Sequence, residues 1–402
     1  MLSRSALSRV LQSLLTAELA AARGRAGRAY DKGRFLARPW AENLRIASGG
    51  SPTLGCDSLE VLWLAAAANE MFHLYEAGSE DNLLSAPDFG SWLDQIEAAW
   101  RTGIAHVTFT TSGSSGLPKR CTHRVSHLAT EIGYLADLFA SRHRILALAP
   151  AHHIYGFLFE AMLPDALGLE ALVADDMGPG ELARTLCQGD LVVSFPDRWR
   201  WLDRTLATWP SDVEGVVSTA PCPPGLIASL IQGGLRQMTE VYGSSEIAGV
   251  AVRVWPEEAY RLMPQWQFVE PVDPDQPELV HVDGRHVAIM DWIALHDDHA
   301  FLLVGRRDGL VQVGGTNVRP ERVAALLREQ AGVDEAIVRL MRPEEGTRLK
   351  AFIVPAPGAC PDEIQERLAA WIESHLAVAE RPKALTFGAS LPTNQFGKDA
   401  DW

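Results

Sequence analysis

The sequence predicts an α/β protein, because it contains both strand-like runs and helical patterns. One strand-like run leads into a loop, and another leads into a helix. Residues 104–109 (Ile-Ala-His-Val-Thr-Phe) are apolar and β-branched enough to form a buried strand. Residues 349–354 are a second such run, and a helical pattern over 361–376 follows it. A helix is predicted first, over residues 5–23. Its apolar positions make one face, formed by Leu7, Val10, Leu11, Leu14, Leu15 and Leu19.

The loop after the first predicted strand has the composition of a phosphate-binding loop. Gly113 and Gly116 let successive amide groups turn toward one concavity, and Lys119 supplies a positive charge. The candidate phosphate-binding residues are Thr110, Thr111, Ser112, Gly113, Ser114, Ser115, Gly116 and Lys119. A Walker loop is disfavoured, because the glycines are three apart and Arg120 follows the lysine. A solvated Ser/Gly turn is the alternative.

Further motifs follow this loop in order along the chain. They are Pro-Ala-His-His-Ile-Tyr-Gly at 150–156, Ser-Thr-Ala-Pro at 218–221, Val-Tyr-Gly-Ser-Ser-Glu at 241–246, Asp291 fifteen residues before Gly305-Arg306, the stretch 307–320, and Pro-Thr-Asn-Gln-Phe-Gly-Lys at 392–398. In this order they resemble the motifs of the adenylate-forming superfamily, which includes acyl-CoA synthetases, aryl-acid ligases, luciferases and peptide-synthetase adenylation domains.

The resemblance implies the fold and the reaction. It implies an adenylating-enzyme core, here shortened at its N-terminal side, followed by a small, mobile α/β C-terminal domain. The implied reaction uses ATP and Mg²⁺ to form an acyl-adenylate, and a pantetheine thiol then takes the acyl group as a thioester.

The resemblance also implies roles for residues around the nucleotide. It places Thr219, Ala220 and Pro221 against the adenine, Tyr242 stacked on it, Ser245 on the α-phosphate, Asp291 on the ribose and Arg306 at the end of the large domain. Gly243 and Ser244 complete the implied ATP-binding residues. It makes Glu246 the magnesium ligand, which agrees with the preference of Mg²⁺ for one or two carboxylates plus phosphate oxygens. Two positions depart from the family pattern: Ile289-Met290 stands before Asp291 where Thr-Gly is usual, and Ser245 stands where threonine is usual.

For catalysis, the resemblance implies that Lys398 bridges the carboxylate and α-phosphate oxygens and that His153 borders the acid. Asp308 would be the hinge of the small domain, and Gly314 and Gly315 would lie beside the thiol channel. Simpler interpretations exist for four of the site residues. His153 could be a core histidine and Asp291 a turn or cap residue, and Glu246 and Lys398 could be plain surface charges.

The predicted acyl pocket favours a flat ring over a long chain. Its wall combines His153, Tyr155, Phe195, Ser218 and Gly243. The compact chain resembles the hydroxybenzoate ligases of xanthomonadin and aryl-polyene pathways, which implies a small aryl acid as substrate and an acyl carrier protein as partner. The alternatives are an aryl- or acyl-CoA ligase and a non-catalytic nucleotide-binding scaffold.

A further motif precedes the large domain. Leu-Gly-Cys-Asp-Ser-Leu-Glu at 54–60 resembles the 4′-phosphopantetheine attachment site of acyl carrier proteins, with Ser58 as the modified residue and Asp57 as the helix cap. Three interpretations stay open: a functional carrier, a carrier-shaped docking module, and an accidental helix start. We therefore predict a helical carrier-like segment over 1–101, the large domain over 102–306 and the small domain over 307–402.

Composition excludes other classes of protein. A formal net charge of -15 argues against nucleic acid or an anionic membrane as partner. The longest apolar run, residues 61–68, is too short to span a bilayer. Five scattered cysteines suggest neither a zinc site nor a disulfide framework, so a reducing cytoplasm is expected. The arginine-rich first 29 residues could imitate a transit peptide, but their coherent apolar face favours a folded helix.

Overall fold

The computed structural model describes residues 2–25, 38–79, 82–112, 118–273, 276–306, 309–342, 344–392 and 402. The chain folds into two compact units. The first contains Met1–Thr111, Lys119–Val287 and Leu295–Leu302, and the second contains Ser112–Pro118, Ala288–Ala294 and Leu303–Trp402. Within the described residues, no helix is both long enough and apolar enough to cross a membrane.

Helices and strands alternate through the middle of the chain, which confirms the predicted α/β class. The helices are α1 Arg4–Arg25, α2 Ser58–Phe72, α3 Asn82–Ser85, α4 Phe89–Arg101, α5 Val125–Leu138, α6 Ile154–Gly156, α7 Leu163–Leu167, α8 Pro179–Thr185, α9 Pro196–Thr205, α10 Pro224–Gln232, α11 Pro320–Arg328 and α12 Pro361–His375, with a π-helix at Phe157–Met162 and 3₁₀ turns at Leu74–Ala77 and Val378–Glu380. The strands are β1 Arg45–Ala47, β2 Thr53–Cys56, β3 His106–Ser112, β4 Pro118–Arg124, β5 Arg144–Ala147, β6 Glu170–Val173, β7 Asp190–Ser194, β8 Glu214–Val217, β9 Gln237–Ser244, β10 Ala248–Val254, β11 Tyr260–Leu262, β12 Trp266–Phe268, β13 Glu278–His281, β14 His286–Ala288, β15 Asp291–Asp297, β16 Ala300–Arg306, β17 Val311–Val313, β18 Thr316–Val318, β19 Val333–Leu340, β20 Leu349–Pro355 and β21 Ala384–Phe387.

A nine-stranded sheet organises the first unit, in the order β15-β16-β11-β10-β9-β8-β7-β5-β6. The five strands from β6 to β9 are parallel, and the pairs β9/β10, β10/β11 and β11/β16 are antiparallel. Helices connect the parallel strands, and every residue of β7 and β8 is buried. Parallel strands joined in this way end at one edge of the sheet, where ligands of open α/β sheets usually bind.

The N-terminal helix packs on the first unit. All six predicted apolar positions of α1 are buried, which confirms that they form an internal face. On its polar side, Arg9 donates from Nε and Nη2 to the Glu160 carbonyl oxygen in the π-helix, at 3.1 and 2.9 Å. Ser13 Oγ lies 2.8 Å from His152 Nδ1. The predicted 1–101 segment thus lies within the first compact unit, and its boundary at residue 102 stays a prediction.

The start of helix α2 has the predicted cap. Asp57 accepts a hydrogen bond from the Glu60 amide at 2.9 Å, and the Glu60 carboxylate accepts from the Asp57 amide at 3.1 Å. This reciprocal arrangement is a capping box. Ser58 is the first residue of the helix and is exposed.

The second unit is a small α/β layer. Strands β19, β20 and β21 form a sheet, with β19 antiparallel and β21 parallel to β20. Helices α11 and α12 cover it with apolar side chains that include Val323, Leu327, Ile364, Leu368 and Ile372. The predicted strand over 349–354 and the helix that follows it are both present.

Candidate functional site

The predicted site segments of the first unit follow the carboxyl ends of its parallel strands. His153 and Tyr155 come after β5, Phe195 comes directly after β7, and Ser218 comes directly after β8. The segment from Gly243 to Glu246 ends β9 and turns into β10. Because parallel strands end at one edge, motifs far apart in sequence are placed along the same rim.

The turn between β9 and β10 carries Glu246 and is tightly folded. Gly243 pairs with Gly249 across the two strands, and a Cβ atom at Gly243 would lie only 2.1 Å from the Ala248 carbonyl oxygen. Only glycine fits this position. The Glu246 amide donates to Ser244 Oγ at 3.3 Å, a hydrogen bond within the turn. The Glu246 side chain is about half exposed.

An ion pair joins this turn to strand β4. Lys119 Nζ donates to Glu246 Oε1 at 2.7 Å, and the two side chains are 55% and 46% exposed. The predicted loop runs from Thr110 to Lys119, whereas strand β3 extends to Ser112 and strand β4 begins at Pro118, so Lys119 lies on a strand. The structure therefore brings together the predicted phosphate-binding cation and the predicted metal ligand.

The ion pair keeps both side chains ionised. The hydrogen bond to Glu246 raises the pKa of Lys119 above its ordinary value. Partial burial acts to raise the pKa of Glu246, but the hydrogen bonds from Lys119 and Ser244 outweigh it, and the net pKa is lowered. A cation and a carboxylate, both ionised and both partly exposed, can bind the two components of a metal–polyphosphate complex.

A second contact from β4 supports the same turn. His123 Nε2 donates to the Ser245 carbonyl oxygen at 2.7 Å. Side chains two apart on a strand point to the same face, so Lys119, Cys121 and His123 share one face of β4. Burial lowers the pKa of His123, which favours a neutral imidazole with its proton on Nε2. The sequence analysis missed His123, although the two-residue period from Lys119 was a signal for it.

A buried carboxylate lies behind the turn and was also missed. Glu131 Oε2 accepts from the Gly249 amide at 3.0 Å, and Oε1 has no hydrogen-bond partner among the described residues. Burial raises the pKa of Glu131 to about 7. A carboxylate in the apolar row of Leu128, Ile132 and Leu135 on α5 was the available sequence signal.

The predicted acyl-pocket residues differ in exposure. Tyr155 is buried, and its hydroxyl lies 3.0 Å from the carbonyl oxygens of both Ser194 and Val216. It thus ties β7 to β8, and burial raises its pKa well above the ordinary value. Ser218 Oγ donates to the Val241 carbonyl oxygen at 2.8 Å.

Two further aromatic residues of this wall have accessible surface. His153 is exposed, with its ring centroid 4.3 Å from that of His152, and Phe195 is half-buried. An exposed imidazole does not fit the alternative of a core histidine.

The predicted adenine residues lie at the ends of β8 and β9. Tyr242 is half-buried, and its ring packs on Phe301 with centroids 5.4 Å apart and planes at 75°. Thr219 has a left-handed backbone with φ of +76°, an unusual conformation for a residue other than glycine. Thr219 and Pro221 are exposed and Ala220 is half-buried, so the turn presents surface at the same rim.

The remaining predicted residues lie in the second unit, on strand β3 or outside the described structure. Asp291 begins β15 and is half-buried. Gly314 and Gly315 form the turn of the β17/β18 hairpin with φ of +58° and +76°, which suits glycine. Thr110 is exposed on β3, while for Thr111, Ser112 and Arg306 only the strand backbone is described. The predicted residues outside the described part of the chain are Gly113, Ser114, Ser115, Gly116, Asp308 and Lys398.

Comparison with known proteins identifies the family of this chain. Residues 68–280 match the AMP-binding enzyme family, and residues 322–398 match the AMP-binding enzyme C-terminal domain. A 4-coumarate–CoA ligase from Halorhodospira halophila is 36% identical and is matched over 97% of each chain. A second 4-coumarate–CoA ligase, from Cereibacter sphaeroides, is 34% identical over 100% of this chain and 97% of its own.

Solved structures agree on the fold. An o-succinylbenzoate CoA synthetase from Bacillus subtilis superposes with a TM-score of 0.58 at 15% identity, covering 97% of this chain and 91% of its own. The adenylate-forming fold, with a large domain and a small C-terminal domain, is thereby confirmed, as is an ATP-dependent acid–thiol ligase that works through an acyl-adenylate. The chain belongs to the AMP-binding enzyme family.

Proposed function

We propose that this protein ligates a hydroxycinnamate-type aryl acid to CoA through an aryl-adenylate, using ATP and Mg²⁺. The observation that carries the proposal is the 2.7 Å contact between Lys119 and Glu246 at the carboxyl edge of the sheet. It unites the end of the phosphate-loop segment with the carboxylate of the β9/β10 turn.

The residues at this edge suit Mg–ATP. Glu246 supplies an ionised carboxylate, and Mg²⁺ prefers one or two carboxylates together with phosphate oxygens. Lys119 supplies a charge for the phosphates, and Tyr242 supplies a half-buried ring for the adenine. When Mg–ATP binds, the internal ion pair would be exchanged for a lysine–phosphate pair and a carboxylate–metal pair, which keeps the charges matched.

The pocket wall and the relatives indicate the class of acid. His153 and Phe195 provide aromatic surface, whereas the Tyr155 hydroxyl donates its proton to backbone carbonyl oxygens. This wall suits a planar ring, as the sequence analysis expected. The relatives named 4-coumarate–CoA ligase favour a hydroxycinnamate over the hydroxybenzoate predicted from the sequence.

The extent of these matches indicates the thiol acceptor. Both relatives carry CoA in their names and align over nearly the whole of this chain, so the N-terminal segment lies within the matched region. This favours CoA over a separate acyl carrier protein, the acceptor that the sequence analysis placed first.

The first half-reaction is proposed to rely on positioning and charge. The acid carboxylate attacks the α-phosphorus of ATP, the bond to the β-phosphate oxygen breaks, and pyrophosphate leaves. Lys119 would hold the leaving phosphates and Ser245 the α-phosphate, while Asp291 would bind the ribose. Such preorganised donors and charges usually supply most of the rate enhancement in phosphorus-centred displacement.

The second half-reaction is proposed to depend on the small domain. Lys398 would contact the carboxylate and α-phosphate oxygens during adenylation and then withdraw as the small domain rotates about Asp308. Gly314 and Gly315 would then border the path of the thiol, and the thiolate would displace AMP to give the thioester. These roles follow from the family resemblance.

Carboxylate-dependent pyrophosphate exchange across a panel of acids tests the proposed acid. 4-Hydroxycinnamate should exceed 4-hydroxybenzoate by at least about tenfold in kcat/KM, because a pocket of fixed size discriminates chain length by about 1–3 kcal/mol per missing group. Octanoate should be inactive. A preference for 4-hydroxybenzoate would restore the original prediction for the acid, and a preference for octanoate would overturn an aryl substrate altogether.

A carrier role for Ser58 is the second candidate, because one observation favours it. Ser58 is exposed at the start of a capped helix, and Leu59 beside it is 76% exposed. Treatment with CoA and a broad-specificity phosphopantetheinyl transferase should then add one 4′-phosphopantetheine to the wild type and none to Ser58→Ala, by intact mass. If the wild type stays unmodified, the Asp57–Glu60 capping box alone explains the motif at residues 54–60.

A further inference from the structure

Two imidazoles and one carboxylate converge at the start of strand β3. His106 Nδ1 lies 2.7 Å from Glu76 Oε1, and His73 Nδ1 lies 3.1 Å from the same oxygen. One ligand atom from each of the three residues falls within 4.8 Å of the others. His73 is buried, and Glu76 and His106 are partly exposed, so the cluster can be reached from solvent.

We propose that His73, Glu76 and His106 bind one Zn²⁺ ion that ties the 3₁₀ turn Leu74–Ala77 to strand β3. Zinc prefers imidazole nitrogen and carboxylate oxygen ligands at about 2.0–2.2 Å in a tetrahedral arrangement. The ligand atoms of such a site are about 3.3 Å apart, so the separations in the cluster need only small side-chain rotations. This site shares no residue with the proposed adenylation site.

The outer contacts of the cluster orient its ligands for a metal. His73 Nε2 lies 2.7 Å from Thr108 Oγ1, which in turn lies 2.7 Å from Thr122 Oγ1. If Nε2 carries the proton and donates it to Thr108, the lone pair of His73 is on Nδ1, the nitrogen that faces Glu76. Metal-ligating histidines usually donate their other N–H to a hydrogen-bond acceptor in this way.

The carboxylate is oriented as well. Glu76 Oε2 accepts from the Ala105 amide at 3.1 Å, which leaves Oε1 directed at the two imidazoles. The Tyr75 hydroxyl lies 2.6 Å from His73 Nδ1 and donates to that nitrogen in this tautomer, so the exposed Tyr75 side chain would rotate away when the metal binds. The backbone of His73 is left-handed, with φ of +52°, and this C-cap conformation follows helix α2 immediately.

The donor set selects a divalent transition metal. Two imidazoles and a carboxylate suit Zn²⁺, Co²⁺ or Ni²⁺ better than Mg²⁺, which prefers an all-oxygen, octahedral shell. The exposed thiols Cys187 and Cys360 are strong zinc ligands outside the cluster. The experiment has to separate the cluster from these thiols.

Metal titration of the full-length, demetallated protein tests the proposal. Zn²⁺ competition against a chromophoric chelator should show one equivalent bound by the wild type, and the melting temperature should rise with Zn²⁺. His106→Ala and Glu76→Gln, at partly exposed positions, should weaken zinc binding by at least about tenfold, and Thr108→Val by about 10–100-fold. The matched control is His286→Gln, an exposed histidine outside the cluster, which should bind like the wild type.

Substitution with Co²⁺ identifies the ligands. Absorption in the d–d region without a thiolate charge-transfer band, lost in His106→Ala, is the expected result. A thiolate band, or zinc affinity that is equal in the wild type and His106→Ala, would overturn the proposal and leave a hydrogen-bonded His–Glu–His triad only. Because the readouts are metal content, absorbance and melting temperature, the result does not depend on the proposed ligase activity.

Discussion

Lys119 Nζ lies 2.7 Å from Glu246 Oε1, although the two residues are 127 positions apart in the sequence. Both side chains are about half exposed, so their attraction is weakened by solvent and contributes little to folding. An ion pair of small structural value at the carboxyl edge of a parallel sheet is what a polyphosphate–metal site requires, because its two partners can be re-paired at low cost.

Removal of either charge should therefore lower the rate of adenylation and leave the stability of the fold nearly unchanged. Lys119→Met and Glu246→Gln should each lower the rate of adenylation by about 10²–10³-fold, because each removes a charge that acts on phosphates or metal. Each should change the free energy of unfolding by less than about 1 kcal/mol. Arg101→Gln, which breaks the exposed pair with Glu97, is the matched control and should leave adenylation unchanged. Large destabilisation by either site variant would make the pair structural.

The support that His123 gives to the turn should be visible in the kinetics. His123→Leu leaves the Ser245 carbonyl oxygen without its buried donor, which costs about 1–3 kcal/mol. We expect a raised KM for ATP and a lowered kcat, with partial rescue in His123→Gln, whose amide N–H can donate in place of Nε2. Equal changes of KM and kcat in both variants would show that the shape of the imidazole ring matters and its hydrogen bond does not.

The free energy of unfolding should depend on pH in part because of Glu131. Burial raises its pKa in the folded state to about 7, above the ordinary 4.5. The stabilisation of the folded state by protonated Glu131 is therefore fully present below pH 4.5 and is lost as the pH rises through 7. Between pH 5 and pH 8 the loss should be about 2–3 kcal/mol.

Glu131→Gln mimics the protonated side chain, so it tests that contribution directly. The variant and the wild type should unfold with similar free energies at pH 5, and the variant should be more stable at pH 8 in denaturant titrations. Glu160 contributes with the same sign, because burial raises its pKa to about 8, so some pH dependence should remain. A difference between variant and wild type that is constant from pH 5 to pH 8 would contradict the assignment.

The two half-reactions should respond differently to Lys398. Lys398→Ala should lower adenylation by about 10²–10³-fold, because it removes charge stabilisation at the attacked phosphorus. It should still convert supplied aryl-adenylate to thioester at close to the normal rate. Lys383→Ala, at an exposed lysine of the same unit, is the control and should affect neither step. Equal loss in both steps would mean that Lys398 has no role specific to adenylation.

Local features were predictable from the sequence because they depend on near neighbours. The apolar face of α1 follows from helical spacing, and the cap of α2 follows from Asp57 and Glu60 three residues apart. The partner of α1 was not predictable. Periodicity shows that Leu7 is buried but not that Arg9 contacts the Glu160 carbonyl in the large domain.

The site was predictable as a list of motifs but not as an arrangement. The distance between Lys119 and Glu246 depends on how β4 meets the β9/β10 turn, which no spacing in the sequence encodes. The role of Tyr155 shows the same limit. The motif marked it as a pocket residue, whereas its hydroxyl is engaged by the backbone of two strands.

The acceptor assay tests the central claim most directly. Wild-type protein with ATP, Mg²⁺ and 4-hydroxycinnamate should release AMP and form a thioester with CoA, and a phosphopantetheinylated acyl carrier protein at the same concentration should give at least about tenfold lower kcat/KM. Faster transfer to the carrier protein would contradict the proposed acceptor. Formation of thioester without AMP release would contradict the adenylate mechanism itself.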